Sequence, residues 1–190
     1  LADRMREIPE STESDAALIQ SISNEVERIT NISEEYLSYS RLPKYDFYER
    51  DLNAVVAEAC QVFQAEFQKY QVAFTFSAEY SGGYISIDEN RLKQALLNLL
   101  KNAIAAGRAG QRGIWVRTRN SVASEGAIIE IEDNGIGIPA ADQEKIFGAF
   151  YTTHDRGTGL GLTITKQIIE DHGGKIGLES FQGMGTKFIV

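Results

Sequence analysis

The sequence predicts an α+β fold, a two-layer sandwich with a sheet on one side and helices on the other. Strand-like segments recur from residue 72 to the end of the chain, and most are placed to pair antiparallel. Amphipathic patterns predict helices that cluster among these strands. Apolar residues make up 43% of the 190 residues, which is enough for one sizeable core and an appended element.

Composition excludes several classes of protein. The net charge of -8 counts against a nucleic-acid-binding surface, which needs a basic face, so we expect no nucleic-acid partner. The single cysteine, Cys60, excludes an internal disulfide framework and a cysteine-based zinc site. No run approaches the eighteen apolar residues of a membrane span, and no signal-peptide pattern is visible.

Residues 1–43 predict a helical element. The first eight residues are typical of the end of a helix, and a long amphipathic helix is predicted from residue 15 to about residue 42, before Pro43. Its apolar stripe is wider than a two-stranded seam needs. We therefore favour a helical hairpin that dimerises into a four-helix bundle over packing on the rest of the chain. The stripe consists of Ile22, Ile29, Ile32, Tyr36 and Tyr39, broadened by Leu18, Ile19, Val26 and Leu37.

Residues 44–190 predict a globular domain. Asp51 and Asp88 each precede an amphipathic pattern and are placed as helix caps, and Pro139 suits the first turn of a short helix. The predicted elements are, in order, a link (44–50), a helix (51–70), two strands (72–76 and 84–87), a helix (89–106), an antiparallel pair of strands (114–118 and 127–131), a short helix (139–147), a helix (160–172) and two last strands after a Gly-Gly turn.

The first candidate functional feature is the segment from Glu132 to Pro139. Asp133 follows an apolar strand, and a carboxylate at a strand end is placed to accept a hydrogen bond from the amino group of a flat heterocycle. Gly135 and Gly137 let the backbone come close to such a ring, because they carry no Cβ. An ordinary tight turn is the alternative explanation.

Two asparagines form the second feature. Asn98 and Asn102 are four residues apart on a predicted helix, so both amides project from one face. Amide oxygens are suitable ligands for a hard cation such as Mg²⁺, which uses few protein groups alongside phosphates. Plain polar surface is the alternative.

Two glycine-rich turns complete the set. The stretch 157–162 reads Gly-Thr-Gly-Leu-Gly-Leu and leads directly into a helix, so its amides can point at phosphate and the helix terminus adds partial positive charge. It is neither a Rossmann fingerprint nor a P-loop, since no strand immediately precedes it and no Gly-Lys-Ser/Thr closes it. Residues 183–186 form a close-approach turn before the last strand, or a plain hairpin.

The motifs, in this order, resemble those of the catalytic, ATP-binding domain of sensor histidine kinases, within the GHKL superfamily. NLLKNA (98–103) is similar to the asparagine box, and DNGIGIP (133–139) to the first glycine box. FGAFYTT (147–153), GTGLGL (157–162) and GMGT (183–186) are similar to the phenylalanine box and the second and third glycine boxes. The resemblance implies a Bergerat-type ATP-binding fold over 44–190. It also implies a partial dimerisation and phosphotransfer hairpin over 1–43.

The resemblance also implies roles for individual residues. Asp133 would take the adenine amino group, and Gly135 and Gly137 would let the chain pass the base and ribose. Asn102 would hold Mg²⁺, with Asn98 beside it. Phe147 and Phe150 would hold a mobile lid closed. The other implied nucleotide-binding residues are Ile138, Tyr151, Thr152, Gly157, Thr158, Gly159, Leu160, Gly161, Leu162 and Thr186, with Lys101, His154 and Arg156 as further phosphate contacts.

Two departures from the superfamily matter. Its ATP-hydrolysing members carry a glutamate where this chain has Asn98, and an amide cannot accept the proton of an attacking water. This favours phosphoryl transfer to another acceptor. The family phosphorylates a histidine on the first bundle helix, but the histidines here are His154 and His172, which are not on the bundle helices. The chain also begins and ends abruptly, so we expect the acceptor upstream of Leu1 and no autophosphorylation by this chain alone.

The resemblance therefore implies a protein-histidine kinase. It would transfer the γ-phosphoryl group of ATP, with Mg²⁺, to a histidine of the dimerisation helix for relay to the receiver domain of a response regulator. The expected partners are ATP and ADP, a second copy bound through the helical hairpin, and the response regulator. We expect the cytoplasmic portion of a membrane-bound sensor. A GHKL-fold ATPase, an anti-sigma-factor type of serine kinase and a docking module without catalysis stay open as alternatives.

Overall fold

A computed structural model describes residues 18–23, 25–26, 29–30, 33, 44–108, 110, 112–122, 126–153 and 157–190. The chain divides into two compact units, Leu1–Arg41 and Leu42–Val190. In the first unit every described residue is helical, and the apolar side chains of Leu18, Ile19, Ile22, Val26 and Ile29 are exposed. The remaining stripe positions predicted for the helical hairpin, Ile32, Tyr36, Leu37 and Tyr39, lie outside the described residues.

The second unit contains helices and strands in a mixed order. Its described elements are β1 (Tyr48–Asp51), α1 (Leu52–Val62), α2 (Gln64–Lys69), β2 (Val72–Ala78), β3 (Tyr84–Ile87), α3 (Glu89–Ala106), β4 (Arg112–Asn120), β5 (Ala127–Asp133), α4 (Ala140–Gln143), α5 (Gly161–Asp171), β6 (Gly177–Phe181) and β7 (Gly185–Ile189).

Five of the strands form the main sheet, in the order β2-β4-β5-β7-β6. β2 and β4 are parallel, whereas β4–β5, β5–β7 and β6–β7 are antiparallel. Along β4, Ile114, Val116 and Thr118 are buried while Trp115 and Arg117 are exposed, so one face of the sheet carries the helices. The predicted α+β fold is confirmed.

The central element of the helical layer is α3. Asp88 caps it, because its Oδ1 accepts the N–H of Arg91 at 3.0 Å. Buried residues recur every three or four positions, and the side chain of Leu99 is 0% exposed. Full burial of one such side chain stabilises the fold by roughly 1.5–3 kcal/mol. The helix contacts α1 and α5 as well as the sheet, so it joins the two layers.

Two predicted helices differ in the structure, one by an interruption and one by its length. The helix predicted over 51–70 is interrupted at Phe63, which leaves the helical region with φ -93° and ψ 6° and gives its N–H to Cys60. The break lets Phe67 stack on Phe74 of β2, with ring centroids 4.4 Å apart. The short helix after Pro139 ends at Gln143, and turns continue the chain to residue 150.

The predicted link over 44–50 contains most of a strand, β1, which corrects the prediction of a short link. Residues 44–51, here called the strap, include β1, and β1 pairs antiparallel with β3 in a second, two-stranded sheet. The hydroxyl of Tyr45 donates to Asp171 Oδ2 at 2.6 Å, and the N–H of Asp46 donates to Asp88 Oδ2 at 3.0 Å. The strap therefore contacts both the start of α3 and the end of α5.

No helix within the described part of the chain is both long and apolar enough to cross a membrane.

Burial at the centre of α3 leads to a stability prediction. Leu99→Ala should lower the free energy of unfolding by about 2–5 kcal/mol, because it leaves a cavity between the helical layer and the sheet. Urea denaturation measures the change. Val122→Ala is the matched control, since Val122 is 96% exposed and should cost little. A loss at Leu99 no larger than at Val122 would contradict the described core.

Candidate functional site

Asp133 is the last residue of β5 and lies in the buried row that faces the helices. Its side chain is 6% exposed. Oδ1 accepts the N–H of Gly135 at 2.8 Å, and the carboxylate also accepts the N–H of Thr186, which lies opposite in the β5–β7 register. The carboxylate predicted at the strand end is therefore held by two backbone donors.

Burial is the main influence on the protonation of Asp133. It raises the pKa of the carboxyl group from 3.8 to about 6, opposed by the N–H donors of Gly135 and Thr186 and assisted by the charge of Glu132. None of the described lysines or arginines forms an ion pair with it. A buried carboxylate without a cation is stabilised by any further hydrogen-bond donor, and an amino group on a flat ring is such a donor.

The glycines after Asp133 are required by the packing of the chain itself. A Cβ on Gly135 would overlap the carbonyl of Ala106 at the end of α3, and a Cβ on Gly137, which has φ +68°, would overlap the carbonyl of Phe181. The N–H of Ile136 donates to the same carbonyl of Ala106 at 3.0 Å. The predicted passage of base and ribose along these glycines stays a prediction, because their Cβ sides face protein backbone.

Ser180 is a site residue that the sequence analysis missed. Its hydroxyl accepts the N–H of Ile138 at 2.8 Å, donates to the carbonyl of Gly185 at 2.9 Å and lies 3.0 Å from the hydroxyl of Thr186. The amide of Gln143 donates to the carbonyls of Ile138 and Ser180, both at 2.9 Å. The only signal in the sequence is a small polar residue on the inward face of β6.

The structure gives the two asparagines different surroundings. Asn98 donates from Nδ2 to the hydroxyl of Thr165 at 2.9 Å, and its Oδ1 occupies the space that a Cβ on Gly161 would need. Asn98 therefore joins α3 to α5. Asn102, one turn later, is half-buried and its carboxamide has no hydrogen-bond partner among the described residues. The neighbouring Lys101 is exposed.

The asparagine amides suit a cation that takes few ligands from the protein. The described residues contain no group of three or more His, Cys, Asp or Glu that could hold a metal ion. Asn102 offers one amide oxygen with no competing bond, and Mg²⁺ usually takes its remaining ligands from phosphates and water. The residues present therefore fit a magnesium ion that arrives with a phosphate ligand.

The second glycine-rich segment leads into the N-terminus of α5. Gly159 has φ +70° and packs directly on Phe150, whose N–H donates to the carbonyl of Gly159 at 3.0 Å. Leu160 is buried, Leu162 packs against the core, and no side chain caps the helix. The first N–H groups of α5 are therefore available to an anion.

The two phenylalanines of the predicted lid differ. Phe147 packs on Phe188 with its ring centroid at 6.5 Å, whereas Phe150 has φ +66° and is 64% exposed. Tyr151 bonds the carboxylate of Asp142 through its hydroxyl, which raises the pKa of the phenol. Thr152 and Gly157 are exposed, and Thr158 accepts the N–H of Leu160. The predicted contacts His154 and Arg156 lie outside the described residues.

Comparison with known proteins identifies the family. Residues 87–190 match the family of histidine kinase-, DNA gyrase B- and HSP90-like ATPases. The sensor histidine kinase ZraS of Escherichia coli O157:H7 is 33% identical over 173 residues, which cover 91% of this chain and 37% of ZraS. The signal transduction histidine-protein kinase AtoS of Escherichia coli K12 is 36% identical over 169 residues, covering 89% of this chain and 28% of AtoS. The chain spans about a third of the length of these relatives.

Solved structures agree with the sequence relatives. The catalytic domain of histidine kinase ThkA is 34% identical, with a TM-score of 0.68 over 76% of this chain and 93% of that domain. ThkA in complex with the response regulator protein TrrA is 30% identical, with a TM-score of 0.75 over 99% of this chain and 52% of ThkA. The chain therefore belongs to the family of histidine kinase-, DNA gyrase B- and HSP90-like ATPases, and its globular part is an ATP-binding catalytic domain of the sensor histidine kinase type.

Proposed function

We propose that this chain is the kinase part of a sensor histidine kinase, transferring the γ-phosphoryl group of ATP to a histidine of the dimerisation helix. The observation that carries the proposal is the buried carboxylate of Asp133, which is held by backbone N–H groups and lacks a cationic partner in the described structure. The adenine amino group supplies the missing donor. A charge-assisted hydrogen bond of this kind contributes roughly 1.5–3 kcal/mol to binding.

The triphosphate end of the nucleotide is assigned to α3 and α5. Asn102 would supply an amide oxygen to Mg²⁺, and the ion would neutralise phosphate charge. The amides of residues 157–162 and the uncapped start of α5 face the phosphates. Because glycine at 161 leaves room for Asn98, the asparagine and the phosphate-binding loop are held together.

The identity of residue 98 supports transfer to a protein acceptor over hydrolysis. The amide of Asn98 donates to Thr165 and has no basic group with which to remove a proton from water. His172 bonds protein groups through both ring nitrogens, so it is unsuited as an acceptor. We propose that the acceptor is a histidine of the first bundle helix, which is neither His154 nor His172.

The proposed partners follow from the same comparison and from the first unit. ThkA was solved in complex with a response regulator, and we propose relay of the phosphoryl group to a receiver domain here as well. The exposed apolar side chains between Leu18 and Ile29 support a homodimer through the helical hairpin. We propose that the domain works in the cytoplasm as part of a membrane-bound sensor, with ATP as substrate and ADP as product.

The first prediction concerns base recognition. Asp133→Asn should abolish adenosine binding, because an amide nitrogen then faces the adenine amino group and the negative charge is lost. Calorimetric titration of adenosine measures the loss. Glu132→Gln is the matched control, since Glu132 is the residue before Asp133 and its exposed carboxylate pairs with Lys187 at 3.1 Å. Unchanged adenosine affinity in Asp133→Asn would reject the assignment.

The same variant yields a pH prediction for the protein without nucleotide. The folded-state pKa of about 6 is above the unfolded value of 3.8, so the wild type loses stability as pH rises from about 4 to above 6. Asp133→Asn has no such proton to lose. Relative to the wild type, it should therefore gain roughly 1–3 kcal/mol between pH 4 and pH 8. Urea denaturation at both pH values tests this, and a constant difference would contradict the buried carboxylate.

A further prediction separates the metal role of Asn102 from the base. Asn102→Ala should weaken Mg-ATP binding by roughly tenfold or more, because the ion loses its protein ligand, while adenosine affinity stays unchanged. Titration of both ligands gives the comparison. Lys101→Ala tests the exposed neighbour and should change neither strongly if solvent surrounds it. Equal losses for adenosine and Mg-ATP in Asn102→Ala would argue against the metal role.

Phosphoryl transfer in trans tests the function as a whole. A longer version of the protein that includes the first bundle helix, with Asp133→Asn to disable its own nucleotide site, is mixed with this chain and labelled Mg-ATP. Acid-labile, base-stable label on the longer protein is expected, since phosphohistidine has these properties. Release of free phosphate without labelling would instead indicate an ATPase. Absence of both label and nucleotide binding would leave a docking module.

A further inference from the structure

His172 connects α5, which begins at the proposed phosphate-binding loop, to α3, which carries the proposed metal ligand Asn102. It follows the last residue of α5 and is half-buried. Nδ1 lies 2.7 Å from the carbonyl of Ile168, and Nε2 accepts the backbone N–H of Asp88 at 3.0 Å. These two bonds require a neutral ring with its proton on Nδ1. The ring thus joins the end of α5 to the cap of α3.

The two helices make a second contact near the proposed nucleotide site. There, Asn98 of α3 donates to Thr165 of α5, and Gly161 packs against the same amide. These two contacts, one just after the end of α5 and one in its first half, limit how far this helix can slide along α3. The start of α5 is the proposed phosphate-binding end, so its distance from Asn102 depends on both contacts.

The strap packs against the imidazole of His172. The rings of Tyr45 and Phe47 lie edge-on to the imidazole, with centroids at 5.8 and 5.1 Å. Burial acts against ionisation of Asp88, yet the N–H donors of Asp46 and Arg91 hold the pKa of this carboxyl below its usual range. The charged cap therefore keeps the strap in place over His172.

We propose that His172 is a positioning residue for the triphosphate: through its Nε2 bond to Asp88 it sets the register of α5 against α3 and so holds the phosphate-binding loop opposite Asn102. The inference rests on the proposed function, because it concerns nucleotide bound at that site. It assigns no contact between His172 and the nucleotide. The imidazole acts from the far end of α5.

Two substitutions separate the two bonds of the ring. His172→Gln places an amide oxygen near the position of Nε2 and can still accept from Asp88, whereas His172→Asn places its amide near Nδ1 and loses that bond. Calorimetry on the 190-residue chain gives the dissociation constants of adenosine and Mg-ATP. The dissociation constant of adenosine divided by that of Mg-ATP isolates what the triphosphate adds to binding. Melting temperatures record general destabilisation.

The expected result is selective. His172→Asn should reduce the ratio by roughly fivefold, the effect of one lost hydrogen bond, with adenosine affinity nearly unchanged, while His172→Gln retains the wild-type ratio. An unchanged ratio in His172→Asn overturns the inference, and so does an equal fall in both variants. A loss of adenosine and Mg-ATP affinity in parallel with melting temperature also overturns it, because it indicates only a structural role.

A third variant keeps the test decisive if His172→Asn does not fold. Phe47→Ala uncovers the imidazole without removing either of its hydrogen bonds, and Phe47 is itself partly exposed. It should lower the same ratio in the same direction by a smaller factor, and an unchanged ratio would count against the inference. If the wild-type chain binds neither ligand, the proposed function itself fails, and this inference fails with it.

Discussion

A carboxylate almost removed from water is the constraint around which this domain is arranged. Desolvation of Asp133 is unfavourable, and the surrounding chain reduces the cost with backbone donors, since no cation does so among the described residues. The donors come from the loop after β5 and from β7, so both must lie close to the carboxylate. Gly185 allows this approach on the β7 side, where a Cβ would overlap the carbonyl of Asp133. The base site and the centre of the sheet are therefore one structure.

The helix α3 links the stability of the fold to the chemistry of the site. Its leucines fill the core, and the amides of Asn98 and Asn102 project from another side of the same helix. Any shift that relieves a packing defect also moves these amides. Proteins pack their interiors at high density, so such shifts are small but are transmitted along the helix. A variant with a damaged core can therefore bind the triphosphate poorly even when every site residue is present.

The regular elements and the chemical motifs were predictable from sequence because both depend on local patterns. Alternation gave β4 and β5, and Asp88 followed by an apolar period gave α3. The misses depend on contacts distant in sequence. β1 contains charged and aromatic residues without apolar alternation, and it forms because β3 offers an edge. Ser180 belongs to the site only because β6 lies beside β7 and the glycine loop. The reason for glycine at 137 likewise came from Phe181, far along the chain.

The strap extends the folded kinase domain beyond the segment that the family model matches. The family match begins at residue 87, the last residue of β3 and the one before the cap of α3. Yet β1 pairs with β3, and the strap bonds both Asp88 and Asp171. A chimera that joins this kinase domain to another sensor at residue 87 would replace β1 and most of β3, together with β2 of the main sheet and the core residues of α1. A junction before residue 44 would transfer the domain with its strap intact. The folded unit is thus longer than the segment that the family model matches.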